Sequence, residues 1–243
     1  MSDGYSAIYK YYDSFTGNVD YNRRADFIEG KFIQYRKPEI IVDLGCGTGT
    51  LLNILSQKGF DVIGLDSSPE MLQIAMDKNP GQLLLCQEMT NIDLYGTVQG
   101  AICMQDTLNH LKNLSELEQA IRRIALFLES GCLFIFDINS EYKHRMVLSD
   151  NVYVYENKDA FLVWQNNTNK DLKVRMTLDL FSRLENGRYL RETGYINEIF
   201  ISESKIKETL DDCGFEVLEK YDGDTLQEVT ELTQRLLFIA RKK

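Results

Sequence analysis

The sequence predicts an α/β protein: a doubly wound, mostly parallel sheet interrupted by a small antiparallel lobe. Three observations carry this. Apolar strand-like runs and amphipathic helix-like runs alternate from residue 39 to 137, the pattern of a parallel sheet with helices on both faces. The first run ends in a glycine-rich turn, Gly45-Cys-Gly-Thr-Gly49. After Asp137 the helical period is lost, and two-residue alternation replaces it.

The elements follow in order. Two helices are expected near 5–15 and 21–35, rich in tyrosine at 5, 9, 11, 12 and 21. Tyr5 and Tyr9 read as aromatic packing. Strands are expected near 39–44, 61–66, 83–87, 100–105 and 131–137. Ser68 can cap the helix after the second strand, and Pro69 suits its first position. Ser115-x-x-Glu118 resembles a capping box, followed by Leu117, Ile121, Ile124 and Leu128 on one helical face. In the insert, Val152–Tyr155 and Phe161–Trp164 read as short strands. Leu172, Val174, Met176, Leu178 and Leu180 alternate with Lys173, Arg175, Thr177 and Asp179, giving one buried and one wet face. Asn186-Gly187 signals a hairpin, and 188–200 is the returning strand. A helix near 202–212, capped by Ser202 and ended by Gly214, leads to strands at 215–221 and 234–241. The expected organisation is one domain from 1–139 plus 201–243, with 140–200 as the antiparallel insert.

Composition bounds the reading. A chain of 243 residues with 44% apolar content can bury a substantial core. A net charge of −10 disfavours a nucleic-acid partner without excluding a local basic patch. No apolar run reaches bilayer length, and no basic-then-apolar leader opens the chain, so a cytoplasmic protein with no membrane partner is expected. Five cysteines, at 46, 86, 103, 132 and 213, are odd in number and fit reduced thiols. They lack the paired spacing of a zinc site, and no metal is expected.

The glycine turn carries the chemistry. Glycines let backbone turn tightly and approach a ligand. Asp66, seventeen residues past Gly49, ends the second strand, where a carboxylate can accept both hydroxyls of a ribose. Gly45, Gly47 and Gly49 give G-x-G-x-G, whereas the dinucleotide fingerprint would put its third small residue at Thr50. No Gly-Lys-Ser/Thr follows, so a phosphate P-loop is absent. A site for a nucleoside remains.

The run Val42-Asp-Leu-Gly-Cys-Gly-Thr-Gly-Thr50 resembles motif I of the class I S-adenosylmethionine-dependent methyltransferases. The resemblance continues through Gly64-Leu-Asp66-Ser-Ser-Pro-Glu-Met71-Leu, Cys86-Gln-Glu88-Met89, Gln105-Asp106-Thr-Leu-Asn109-His110-Leu and Gly131-Cys-Leu-Phe-Ile-Phe-Asp137. It covers residues 39–138 most closely; the flanks look like the small-molecule and N-methyltransferase branch with an added antiparallel lobe. It implies a Rossmann-like, seven-stranded sheet whose last strand enters antiparallel beside the fifth, and S-adenosylmethionine as methyl donor.

The resemblance also distributes roles. Gly45, Cys46, Gly47 and Gly49 would lie along the methionine part of the donor, near a helix N-terminus that favours its carboxylate. Asp43 would organise this loop and lie near the donor's ammonium. Asp66 would hold the ribose; Ser67, Met71, Glu88 and Met89 would wall the adenosine, with Glu88 standing where the family commonly has Asp. Gln105 would touch the donor and Asp106 the acceptor, both at the end of the fourth strand. Tyr12 and Tyr21 look like N-terminal residues that close over donor and acceptor. His110 is a candidate general base, or a histidine packed under the insert; His144 carries the same two readings. The tyrosine-rich insert and Trp164 would roof the acceptor. The activity implied is methyl transfer to a small-molecule acceptor, nitrogen favoured. An RNA-modifying methyltransferase and a non-catalytic nucleoside-binding module or oxidoreductase are the alternatives.

Overall fold

The computed structural model describes residues 8–243; Tyr5 and the start of the first expected helix lie outside them. The N-terminal segment is not one helix. It is a 3₁₀ turn, Tyr9–Tyr11, and a single helical turn, α1 (Tyr12–Phe15). Helix α2 (Tyr21–Tyr35) follows, with the Asp20 side chain accepting from Arg23 N.

The main sheet has seven strands: β1 (Ile40–Leu44), β2 (Asp61–Asp66), β3 (Leu84–Cys86), β4 (Val98–Cys103), β5 (Leu128–Asn139), β10 (Phe215–Asp222) and β11 (Arg235–Lys242). Their order is β10-β11-β5-β4-β1-β2-β3. β11 runs antiparallel to both of its neighbours; β1 to β5 pair in parallel. The helices between them are α3 (Thr50–Gln57), α4 (Pro69–Lys78), α5 (Leu114–Phe127) and α6 (Glu203–Asp212). Alternate residues of one strand enter opposite cores. Phe134 and Phe136 join Leu117, Ile121 and Leu210 from α5 and α6, while Leu133 and Ile135 join Ile28, Phe32 and Leu52 from α2 and α3. Each such fully buried side chain is worth about 1.5–3 kcal/mol.

Caps set two helix starts as expected: Ser68 Oγ accepts from Met71 N and Ser202 Oγ from Lys205 N. The start of α5 differs. Asn113, not Ser115, is its cap, accepting from Glu116 N, and Glu116 in return accepts from Lys112 N. The reciprocal pair therefore sits two residues earlier than the sequence pattern suggested.

Between β5 and α6 stands a four-stranded antiparallel sheet in the order β6-β7-β8-β9: β6 (Val152–Glu156), β7 (Ala160–Thr168), β8 (Val174–Arg183) and β9 (Tyr189–Glu198). Val174, Met176, Leu178 and Leu180 of β8 pack inward with Leu162 and Ile196. Gly187, at φ +78°, closes the β8–β9 hairpin. A π-helical turn, Lys143–Leu148, precedes this lobe. No described helix is long and apolar enough to cross a membrane, and all five cysteines are free thiols.

Candidate active site

Two cavities meet at the carboxyl rim of the parallel strands, the general ligand position in open α/β sheets. The first, about 180 Å³, runs from the glycine turn to the ends of β2 and β3. It is lined by Asp43, Gly45, Cys46, Gly47, Asp66, Ser67, Met71, Glu88, Met89, Gln105, Tyr12 and Tyr21. Of the expected donor-site residues, only Gly49 is not part of its wall. Gly49 starts α3 at φ +73° and is pressed against Asn79.

The turn is built from β1. Gly45 N and Cys46 N donate to Leu65 O, tying it to β2. A Cβ on Gly45 would lie 2.3 Å from Thr107, so only glycine passes there. Gly47, at φ +54°, is different: a Cβ built on it meets no atom within 4 Å, because the space beyond is cavity. Asp66 accepts from Gly47 N at 2.8 Å and from Ser68 N at 2.8 Å, so one carboxylate fixes both the turn and the start of α4. Asp43 is 3% exposed at the cavity floor. Burial, and then the charge of Asp66, push its carboxyl up to about 7. Burial likewise keeps the Cys46 thiol protonated.

The second cavity, about 610 Å³, lies between this rim and the lobe. Tyr12, Gln105 and His110 line both cavities. The lobe contributes Tyr153, Tyr155, Trp164, Met176, Leu178 and Glu198 to the second. Asp106 belongs to it alone.

Gln105 and Asp106 do not end β4, which stops at Cys103. They form a turn with two successive left-handed residues, φ +60° and +54°. Side chains rarely adopt this backbone, and it persists only where the surroundings impose it. Here Asp137, fully buried on β5, accepts from Gln105 N (3.1 Å) and Asp106 N (2.6 Å). Because β11 is antiparallel, its first residue reaches the same rim. Arg235 donates to Gln105 Oε1 (2.8 Å) and Asp106 Oδ1 (2.7 Å) and stands 3.9 Å from Asp137. Burial would raise the Asp106 carboxyl, but Arg235, Lys143 and His110 outweigh it and hold Asp106 far below the usual carboxylate range.

The N-terminal segment crosses the junction. Asp13 accepts from Thr48 Oγ at 2.7 Å and pairs with Lys78. On the lobe side, Ser14 Oγ accepts from Asn157 and Phe15 packs on Tyr155. Burial above all raises the Tyr12 hydroxyl well beyond its ordinary range.

His110 and His144 part company. His110 faces both cavities. His144 is fully buried, its Nδ1 2.9 Å from Leu172 O and its ring edge-on to Phe200; burial lowers it to about 4. It is a packing residue. Glu198 and Arg235 escaped the sequence reading, although each is a lone charge at the border of an apolar run, Glu198 before Ile-Phe-Ile and Arg235 before Leu-Leu-Phe-Ile-Ala.

A seven-stranded sheet with an antiparallel final strand and a glycine-turn cavity at its carboxyl rim define a class I S-adenosylmethionine-dependent methyltransferase. The chain belongs to the methyltransferase-domain family, whose model matches residues 21–220. A protein of Geobacillus sp. (strain WCH70) assigned as a methyltransferase is 29% identical over 245 residues, covering 98% of this chain and 99% of that one. YqeM of Bacillus subtilis (strain 168), with the same assignment, is 27% identical over 243 residues, covering 98% and 97%. An S-adenosylmethionine-dependent methyltransferase from Clostridium acetobutylicum ATCC 824 superposes with a TM-score of 0.87 at 28% identity, over 96% of each chain.

Proposed function

We propose that this methyltransferase transfers its methyl group to an amine nitrogen of a small molecule. The observation that carries this is the second cavity, which opens onto the donor cavity through Tyr12, Gln105 and His110 and is closed by the lobe. Its wall carries Asp106, paired with Arg235 and Lys143, and beside it Glu198, a second carboxylate that suits a cation; Trp164, Met176 and Leu178 give it apolar walls. Partial relatives agree in direction. A dTDP-3-amino-3,6-dideoxy-alpha-D-glucopyranose N,N-dimethyltransferase of Streptomyces fradiae is 32% identical over 107 residues, 44% of this chain. A glycine/sarcosine N-methyltransferase of Parasynechococcus marenigrum is 28% identical over 141 residues.

In this reading the donor lies along Gly45–Gly47, its ammonium toward Asp43, its ribose on Asp66 and its adenine among Ser67, Met71, Glu88 and Met89. The open space over Gly47 is what such a ligand requires. S-adenosylmethionine supplies an already activated methyl group, so the protein's task is alignment and exclusion of water. Tyr12 and Tyr21 close the donor side, and Asp106 holds the acceptor. His110, at the junction, is in reach of both.

The test is transfer of labelled methyl from S-adenosylmethionine into fractionated cell extract, followed by identification of the product. An N-methylated small molecule is expected. Label appearing in RNA, or on oxygen, would overturn the reading.

A further inference from the structure

We propose that Glu198, supplied by the lobe, takes the proton from the acceptor's ammonium nitrogen, while Asp106 stays charged and holds the cation. This rests on the amine reading above.

An amine is a poor nucleophile while protonated, because its electron pair is committed to a proton. The site therefore needs a proton acceptor beside the nitrogen, and two carboxylates stand there. Asn139 Nδ2 bridges them, donating to Asp106 Oδ2 at 2.9 Å and to Glu198 Oε2 at 2.8 Å. Carboxylate oxygens of both residues and a ring nitrogen of His110 lie within 4.8 Å of one another.

Their surroundings push the two acids apart, which is how paired carboxylates divide roles. Asp106 has Arg235 on one oxygen and Asn139, with Lys143 at 3.7 Å, on the other. It is a fixed anion and a weak proton acceptor. Glu198 is 3% exposed, and the partner that holds its carboxylate is the neutral amide of Asn139. Burial and the charge of Asp106 raise its proton affinity, against the opposing effect of His110 and Lys143; Arg235 is the other charge that feels it.

Glu198 has a second face. It lines the acceptor cavity and also an outer groove of about 690 Å³, bounded by His110, Lys112, Lys173 and Arg175. The step balances on these positions. The N–H bond of the ammonium breaks, its electron pair stays on nitrogen, and the proton bonds to the Glu198 carboxylate. The resulting neutral acid then returns that proton to water through the groove. The lobe thus contributes chemistry as well as cover.

Carboxyl NMR of the S-adenosylhomocysteine complex tests this without an acceptor, with glutamates labelled with ¹³C and Glu198 assigned through Glu198→Gln. The expected result is a Glu198 midpoint above the ordinary glutamate range that falls when excess methylammonium chloride is added, with no fall in Asp106→Asn. An ordinary midpoint, or one indifferent to methylammonium, overturns the assignment. In the labelled-transfer assay, Glu198→Gln should lose about 100-fold in saturated rate, the low end for a general base. Its S-adenosylhomocysteine affinity should be unchanged, and activity should recover as pH rises and the solution delivers free amine. If that loss and recovery follow His110→Gln while Glu198→Gln behaves as wild type, Glu198 is not the proton acceptor. If no extract is labelled by wild type but Glu198 answers methylammonium, the transfer reading fails and Glu198 stands only as a carboxylate that meets a bound ammonium.

Discussion

Asp43 should make donor binding depend on pH. It is 3% exposed, and burial together with Asp66 raises its carboxyl from 3.8 to about 7 in the ligand-free protein. A ligand ammonium beside it would favour the carboxylate, so binding below neutral pH must expel a proton. Affinity for S-adenosylhomocysteine should then fall about tenfold per pH unit below 7, or about 100-fold at pH 5. The ligand's own carboxylate and ammonium do not titrate in that window. Calorimetric titration between pH 5 and 8, repeated in buffers of different ionisation heat, reads both the affinity and the proton released. Asp43→Asn should flatten the slope and bind more weakly at pH 8, whereas His110→Gln should keep it. The raised carboxyl also fixes a sign for stability. The native state holds a proton that the unfolded chain gives up, so ligand-free stability is full below 3.8 and declines as pH rises to about 7. The decline is at most about 4 kcal/mol, and Asp43→Asn should remove it. Wild-type affinity that is level from pH 5 to 7, or a slope surviving in Asp43→Asn, would refute the placement of Asp43 against the ammonium.

Three further outcomes are expected. Gly47→Val should nearly abolish S-adenosylhomocysteine binding, because the added side chain enters open cavity at a left-handed φ; calorimetry on a variant shown folded by circular dichroism checks it. Asp66→Ala should weaken the same binding by about 1.5–3 kcal/mol, the range for hydrogen bonds to a charged group, and wild-type affinity in a folded variant would remove Asp66 from the ribose site. Arg235→Leu should lower stability, by at most about 3–5 kcal/mol, since it takes the nearest cation from partly buried Asp106 and one of two from buried Asp137, leaving Lys143 at 3.7 Å and Arg24 at 3.6 Å; an unmoved urea midpoint would show the pair to be dispensable.

The parallel half of the fold is legible because its signals are local: apolar strands, the 45–49 turn, Ser68-Pro69 and Asp66 lie within a few residues of what they organise. The lining of the glycine-turn cavity was readable for the same reason. Thr48, which Asp13 engages, and Thr107, against Gly45, were not, since both act through contacts distant in sequence. The π-helical turn at Lys143–Leu148 has no 3.6-residue period to betray it. The second cavity was the least readable. Asp106 meets Arg235 across 129 positions, and Glu198 meets Asn139 across 59. Only the antiparallel entry of β11 and the return of β9 bring those charges to one rim.

The segment Tyr12–Phe15 is fastened on one side to Thr48 and Lys78, at the glycine turn and α4, and on the other to Asn157 and Tyr155 of the lobe. Tyr12 is a wall of both cavities at once. Release of the segment for donor exchange would therefore dismantle part of the second cavity's wall. Turnover should accordingly be compulsory in order: the donor enters first, its spent form leaves last, and the methylated product departs between them. Steady-state inhibition patterns would carry that signature, with S-adenosylhomocysteine competing against S-adenosylmethionine but not against the acceptor.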